Sequence, residues 1–184
     1  MNLLSSFKSA PWASTIFFLP VYCFAFFGAS NWIPKSSQVK FKIYHIMHNA
    51  EGFSENLSGQ VKCTSDDLCT YIFSIPVNSF KSRNEDRDKD MMEVIKAKEF
   101  PQITLQGQGR LKEGHFVTDM EVSFAGTKIN TPVSMKVEND WFEKSAEGQV
   151  SFKATDFGIV LPTLLGIPIQ DKIDIRFKVR FKKK

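Results

Sequence analysis

The sequence predicts an all-β domain of about eight antiparallel strands with one helix, preceded by an export signal. Apolar and polar residues alternate with a period of two along most of the chain, and short turns separate these runs. One segment, residues 86–97, has helical spacing instead. No internal repeat or linker divides residues 31–184, so we expect them to form a single domain.

The first 30 residues have the pattern of a signal peptide. Lys8 supplies a positive charge, residues 16–27 are apolar, and residues 28–30 are small, so we expect cleavage before Asn31. The apolar run is shorter than the ~20 residues of a transmembrane helix. An uncleaved anchor and a lipid attached at Cys23 are the alternatives. The expected product is an exported domain in a bacterial periplasm, with possible transient contact at the membrane surface.

The two remaining cysteines predict a disulfide across a hairpin. Cys63 and Cys69 flank a turn-like segment, and their pairing would place Val61 opposite Tyr71. Exported proteins can form and keep such a bond. Because the loop is short, the chain-entropy model gives a stabilisation of about 2 kcal/mol. Free thiols are the alternative.

Eight runs of alternating residues give the strands in order. The residues that share one face of each run are Val39, Phe41 and Ile43; Leu57, Gly59, Val61 and Cys63; Cys69, Tyr71, Phe73, Ile75 and Val77; Ile103 and Leu105; Phe116, Thr118, Met120, Val122 and Phe124; Ile129, Thr131, Val133, Met135 and Val137; Gly148, Val150, Phe152 and Ala154; and Ile173, Ile175, Phe177, Val179 and Phe181. Such a chain predicts an antiparallel sheet that closes into a barrel or folds into a sandwich.

Two connections differ from ordinary turns. Residues 86–97 carry apolar side chains on one helical face, acidic residues at the start and lysine at the end, which favour a helix. Residues 155–171 are long and rich in leucine and isoleucine, although connections are normally short and polar. This apolar loop either plugs the end of the barrel or lines its entrance.

Charge and motifs favour a binding protein over an enzyme. The net charge is +4, and Lys and Arg are interleaved with Asp and Glu except in the terminal Lys182–Lys184, so no basic stripe indicates nucleic-acid binding. The sequence contains no GxSxG, HExxH or glycine-rich phosphate loop. His45 and His48 are candidate metal ligands, but on a strand residues three apart point to opposite faces.

Four segments, in order, resemble the YceI-like family of polyisoprenoid-binding periplasmic proteins. Residues 79–92 followed by Phe100-Pro101-Gln102-Ile103 resemble the family's "S…N..RD..M/L……F/YP.I.F" block. Residues 47–53 (MHNAEGF) are similar to "LHTVHGTF", residues 154–159 (ATDFGI) to "R.DFGI", and residues 169–175 to "I.D.V.I". Glu51 replaces the second histidine of the family pattern, and Thr155 replaces an arginine of many members.

The resemblance implies a lipocalin-like, eight-stranded antiparallel barrel with a helix near its opening. Its interior would hold a long isoprenoid, quinone-like or fatty-acyl ligand, with no cofactor and no catalytic residue. The candidate lining residues are Phe41, Ile43, Phe53, Tyr71, Phe73, Met91, Val94, Ile95, Met120, Phe124, Met135, Phe152 and Phe157, with Leu161, Leu164, Leu165 and Ile167 at the mouth.

The polar candidates allow two interpretations. Arg87 is expected to pair with Asp88 and fix the helix, and alternatively Arg87 or His48 meets the polar head of the ligand. The sequence also allows two other functions. The barrel could be filled by its own side chains and serve as an envelope-stress or interaction module, or His45 and His48 could form a metal centre. The chain is expected to be a monomer or a homodimer.

Overall fold

The computed structural model describes residues 30–65, 67–140 and 142–184. The predicted signal peptide lies outside these residues except for Ser30. Within the described ranges, no helix is long and apolar enough to cross a membrane.

Strands dominate the fold. They are β1 (Ser30–Ile43), β2 (Ala50–Ser54), β3 (Ser58–Cys63), β4 (Leu68–Pro76), β5 (Gln102–Lys112), β6 (His115–Phe124), β7 (Thr127–Asn139), β8 (Glu143–Phe152), β9 (Thr163–Leu164), β10 (Ile167–Pro168) and β11 (Ile173–Lys183). The α-helix is α1 (Glu85–Val94), and two short 3₁₀ helices span Val77–Ser79 and Ala154–Phe157.

The predicted eight-stranded antiparallel barrel is confirmed. Strands β1, β3, β4, β5, β6, β7, β8 and β11 pair in that order, and β11 pairs with β1 to close the ring. On its other side, β1 pairs with β3 near its start and with β2 near its end. Strands β9 and β10 form a separate small hairpin. The ring is thus closed at every strand pair, but β7 and β8 pair only through residues 136–139 and 144–147 and are not paired with each other toward the mouth.

The cysteine hairpin has the predicted register. Cys63 lies opposite Cys69 and is joined to it by a disulfide, and Val61 lies opposite Tyr71. The cross-link covers the turn between β3 and β4, where both sulfurs are buried. The disulfide thus links the neighbouring strands β3 and β4 at one end of the barrel.

Strand β5 is longer than predicted. The alternating pattern marked only Ile103 and Leu105, but the strand continues to Lys112. Two of its later inward positions, Gly107 and Gly109, are glycines, which interrupt the apolar periodicity before Leu111. A Cβ atom on Gly107 would lie 2.7 Å from the Tyr71 hydroxyl, and one on Gly109 would lie 2.6 Å from the ring of Phe116. The missing side chains leave room for these aromatic rings.

The helix begins close to the predicted position and ends earlier. The side chain of Asn84 caps it by accepting a hydrogen bond from the backbone N–H of Arg87 at 2.9 Å. The helix ends at Val94 instead of residue 97, since Lys96 adopts a left-handed φ of 52°. Met91 and Val94 pack against the barrel core, which places the helix over one end of the barrel.

The two ends of the barrel are built differently. One end, which we call the base, holds the turns at residues 63–69, 112–115 and 139–143, and the N–H of Leu111 there donates to the Asp67 carbonyl at 2.7 Å. The opposite end, the mouth, holds residues 44–49, helix α1 and residues 153–172. Long connections are therefore concentrated at the mouth.

Candidate functional site

A cavity of about 520 Å³ occupies the interior of the barrel. This volume lies within the range of about 300–1,000 Å³ for small-molecule sites. Its wall is formed by inward residues of all eight barrel strands, together with helix α1 and residues 154–169. The side chains therefore do not fill the barrel, and the hypothesis of a self-filled interior is not supported.

Most of the predicted lining residues share this wall. The structure places on it Phe41, Ile43, His48, Tyr71, Phe73, Arg87, Met91, Val94, Ile95, Met120, Phe124, Met135, Phe152 and Phe157. Their role in binding a ligand stays a prediction.

Phe53 is not on the wall. In the pairing of β1 with β2, Phe53 lies opposite Lys40, which points outward, while its neighbour Gly52 lies opposite the buried Phe41. Gly52 takes the inward position because its missing side chain makes room for the Phe41 ring, 2.5 Å from where a Cβ would lie. The prediction that Phe53 faces inward was therefore wrong by one residue. Successive residues of a strand face opposite sides of the sheet, and Gly52 takes the inward position.

Three of the four apolar loop residues proposed at the mouth, Leu161, Leu165 and Ile167, are also absent from the wall. Leu161 is half-buried and packs against the core, and Leu164 lies in β9. Leu165 and Ile167 are exposed at the β9–β10 hairpin. Pro162, Thr163 and Ile169 from the same segment line the cavity instead. The segment thus borders the entrance, with Ile159 and Ile169 on the wall and Leu165 and Ile167 exposed to solvent.

Several wall residues were missing from the predicted set. They include Trp32, Ile75, Val77, Phe80, Val122, Phe177, Val179 and Phe181. Most belong to strands whose alternation was recognised, and the same parity would have identified them. Trp32 had no periodic signal, because the register of β1 shifts between Pro34 and Ser36.

Aromatic rings form much of the wall. Toward the base, Tyr71 stacks on Phe73 with ring centres 5.7 Å apart, and Phe73 lies 5.9 Å from Phe181. Near the mouth, Phe157 meets Phe124 at 5.3 Å and Phe152 at 5.7 Å, both edge to face. Such rings provide a large apolar surface with few rotatable bonds.

The polar atom of Tyr71 is satisfied within the wall. Its hydroxyl shares a hydrogen bond of 3.2 Å with the Thr118 hydroxyl, which donates to the Gln108 carbonyl at 2.9 Å. Burial raises the pKa of Tyr71, and the bond to Thr118 offsets this in part. The phenol therefore stays neutral, and this part of the wall carries no charge.

Exposure of the lining residues shows where the cavity opens. At the mouth, His48, Asp90, Pro162 and Thr163 line the cavity and are also exposed to solvent. At the base, the lining residues are buried or half-buried, and the Lys144 amine covers the Trp32 ring, 4.8 Å from its centre. The cavity is thus a pocket that opens at the mouth.

The two histidines lie together at the mouth, contrary to the expectation that a strand would separate them. Strand β1 ends at Ile43, so His45 and His48 belong to a loop, with ring centres 6.1 Å apart. Nδ1 of His45 accepts from the Met47 N–H at 3.2 Å, which leaves the proton on Nε2, 3.3 Å from the Ile167 carbonyl. Among the described residues, no group of three or more His, Cys, Asp or Glu is arranged to hold a metal.

Arg87 does not form the predicted pair with Asp88. The Asp88 carboxylate accepts the backbone N–H of Ser82 at 2.9 Å instead, which joins the helix to the preceding segment. Arg87 lines the cavity close to Asp90 in sequence, and within the described ranges no ion pair involves its guanidinium. The arginine is therefore available to a polar group at the mouth.

A hydrogen-bonded cluster on the outer surface fixes Tyr44, the first residue of the loop that carries the two histidines. Asp174 accepts from the Ser151 hydroxyl at 2.6 Å and from the Tyr44 hydroxyl at 2.5 Å, and Lys172 lies 3.2 Å away. These bonds, Ser151 and Tyr44 first, lower the pKa of Asp174 to about 2. The cluster joins β1, β8 and β11 next to the mouth.

Comparison with known proteins agrees with this architecture. A family model for the YceI-like domain matches residues 31–181. BcnA of Burkholderia cenocepacia has a similar structure, with a TM-score of 0.69 and 18% identity over 78% of this chain and 95% of that one. No match was found among curated proteins.

Two further solved structures have the same fold. A polyisoprenoid-binding domain from Saccharophagus degradans, implicated in plant cell wall breakdown, has a TM-score of 0.67 and 12% identity over 83% of this chain and 98% of that one. The YceI protein of Campylobacter jejuni has a TM-score of 0.63 and 15% identity over 77% of this chain and 89% of that one. At these identities, the similarity establishes the fold.

Proposed function

We propose, since this chain belongs to the YceI-like domain family, that it is an exported carrier that holds one long apolar lipid inside its barrel. The ligand class is an isoprenoid, a quinone with an isoprenoid tail or a fatty-acyl chain. The Saccharophagus relative, described as a polyisoprenoid-binding domain, supports the isoprenoid as the first candidate. The signal-like sequence and the disulfide support the periplasm as its location.

The observation that carries the proposal is the hollow apolar pocket. Its volume of about 520 Å³ is bounded mainly by aromatic and aliphatic side chains, and the inward phenol of Tyr71 is already hydrogen-bonded. Each CH₂ group moved from water into such a pocket contributes about 0.8 kcal/mol. Ten buried carbons therefore favour the complex by roughly 8 kcal/mol before the costs of ordering the ligand.

The direction of the ligand follows from the position of the polar groups. Arg87, His48 and Asp90 lie at the open end, the Lys144 amine at the base lies over the Trp32 ring, and the wall between the two ends is mainly apolar. The hydrocarbon chain would extend toward the base, and the polar head would remain at the mouth. Arginine can bind a carboxylate or phosphate through two parallel hydrogen bonds, so Arg87 would be the main contact of an anionic head.

Native mass spectrometry of protein purified without detergent tests the proposal directly. We expect one apolar adduct per chain, removed by organic extraction and restored by titration with octaprenol, a ubiquinone or palmitic acid. The three probes separate the isoprenoid from the fatty-acyl interpretation. A clean mass of the unliganded chain, together with no uptake of any probe, would refute the carrier function.

A further inference from the structure

Five exposed apolar side chains lie on two neighbouring loops at the mouth, and we call them the apolar rim. Two belong to the loop at residues 44–49: Ile46 is 76% exposed and Met47 is 59% exposed. The other three belong to residues 158–170: Val160 is 84%, Leu165 78% and Ile167 42% exposed. Single exposed apolar residues are ordinary, but a group at one end of a molecule indicates an interaction surface.

The rim is held in place by hydrogen bonds between its two loops. The Gln170 N–H donates to the Tyr44 carbonyl at 2.8 Å, and His45 bonds the Ile167 carbonyl. Within the second loop, the β9–β10 hairpin turns through Leu165 and Gly166, both with positive φ. The apolar tips are therefore carried by a connected unit that also borders the pocket.

The net charge around the rim is close to zero. Residues 158–170 contain no Asp, Glu, Lys or Arg, and residues 43–50 contain only the two histidines, in a chain that is 24% charged. Residues 81–99, around the helix, carry six basic and six acidic residues, so their net charge is zero. In contrast, the base carries Lys182–Lys184 and the exposed Phe142.

We infer that the apolar rim docks the mouth onto a lipid bilayer, so that the ligand moves between membrane and barrel without crossing water. This inference rests on the proposed carrier function. The rim is continuous with the pocket entrance, because residues 162, 163 and 169 of the same loop line the pocket. Five tip side chains are far fewer than the ~20–30 residues on each side of a stable protein interface. They suit the boundary between headgroups and acyl chains, which takes up a few apolar side chains without matching charges.

A vesicle-binding experiment tests the rim separately from the pocket. The full mature chain is sedimented with phosphatidylcholine vesicles, and the double variant Ile46→Gln, Leu165→Asn is compared with it. Both changes remove apolar surface without adding charge, and asparagine tolerates the left-handed φ at position 165. We expect the partition coefficient to fall about tenfold for each residue, hence about a hundredfold for both.

The matched controls lie at the base. Phe142→Gln, and a triple change of Lys182, Lys183 and Lys184 to Gln, should leave binding to phosphatidylcholine unchanged, and added salt should not weaken it. Binding that requires anionic lipid and is lost in the base variants would overturn the proposal, since the base would then face the membrane. Unchanged vesicle binding of the rim variant would overturn it as well. If the wild-type chain forms a concentration-dependent dimer and the rim substitutions abolish that dimer, the rim binds a second copy of the chain. This result would refute docking onto a bilayer.

Ligand transfer distinguishes failure of docking from failure of the carrier function. Uptake of octaprenol from a detergent dispersion should be the same in wild type and rim variant, whereas uptake from vesicles should be about a hundredfold slower in the variant. Equal transfer rates from vesicles would overturn the docking role while leaving the carrier function in place. If the wild-type chain takes up octaprenol from neither source, the carrier function is refuted. The sedimentation experiment then still decides whether the rim binds vesicles.

Discussion

The substitution Met120→Trp tests whether the barrel interior is available to a ligand. Met120 is buried on β6 and lines the pocket, where it lies opposite Gly107 on β5. Tryptophan would add about six non-hydrogen atoms and would direct them into the void of about 520 Å³. The same change in a filled core would force neighbouring side chains out of their rotamers and cost about 1–3 kcal/mol.

We expect Met120→Trp to have a small effect on stability and a large effect on ligand binding. Because the indole fills empty space, the free energy of unfolding should change by less than about 1 kcal/mol. The ligand loses room for about six carbons, which at about 0.8 kcal/mol each amounts to roughly 5 kcal/mol, or more than a thousandfold in Kd. Met120→Trp would thus separate folding from binding.

Urea denaturation and titration with octaprenol measure the two effects. The control is Val117→Trp, which places the same side chain on the exposed outer face of β6 and should affect neither quantity. The reasoning is refuted if Met120→Trp destabilises the fold by more than about 1 kcal/mol, or if it binds octaprenol as tightly as the wild type. The first result would mean that side chains already fill the interior, and the second that the ligand does not occupy the middle of the barrel.

Three further predictions concern the scaffold. Replacing Cys63 and Cys69 by Ala should lower the free energy of unfolding by about 2 kcal/mol, and a reducing agent should have the same effect on the wild type in urea denaturation. The folded-state pKa of Asp174 is about 2, below its ordinary value of 3.8, so its stabilisation is present above pH 3.8 and lost as the pH falls through 2. The difference in urea midpoint between wild type and Asp174→Asn should therefore be full at pH 7 and disappear near pH 2; a constant difference would contradict this. Gly52→Ala should destabilise by about 1–3 kcal/mol in thermal or urea unfolding, because its Cβ would lie 2.7 Å from a backbone carbonyl oxygen, whereas Gly166→Asn, which has open space around it, should be nearly neutral.

Alternation of apolar residues was sufficient to predict an antiparallel sheet and its principal strands, and the resemblance to the YceI-like family favoured a barrel over a sandwich. The pattern at Phe116, Met120 and Phe124 has the period that a wall with one apolar face requires, and β6 follows it. The cysteine pair also predicted the register of β3 with β4. These features depend on neighbours in the chain, which is why the sequence reveals them.

The remaining features depend on contacts between distant segments. Glycine has no hydropathy signal, so the inward positions Gly52, Gly107 and Gly109 could not be recognised until the rings above them were placed. The exposure of Leu165 likewise follows from the small hairpin, in which short turns direct apolar tips outward. The composition of residues 155–171 alone did not distinguish a segment that plugs the barrel from one that borders its entrance.

The pairing of β1 with β11 has a consequence for biosynthesis. Ile43 lies opposite Ile173 and Trp32 opposite Lys183, so ring closure joins residues about as distant in sequence as the domain allows. Contacts of this separation slow folding, and a nascent chain that lacks the last strand exposes unpaired edges on β1 and β8. The ring can close only after residues 173–183 have been synthesised, and until then the unpaired edges of β1 and β8 favour aggregation.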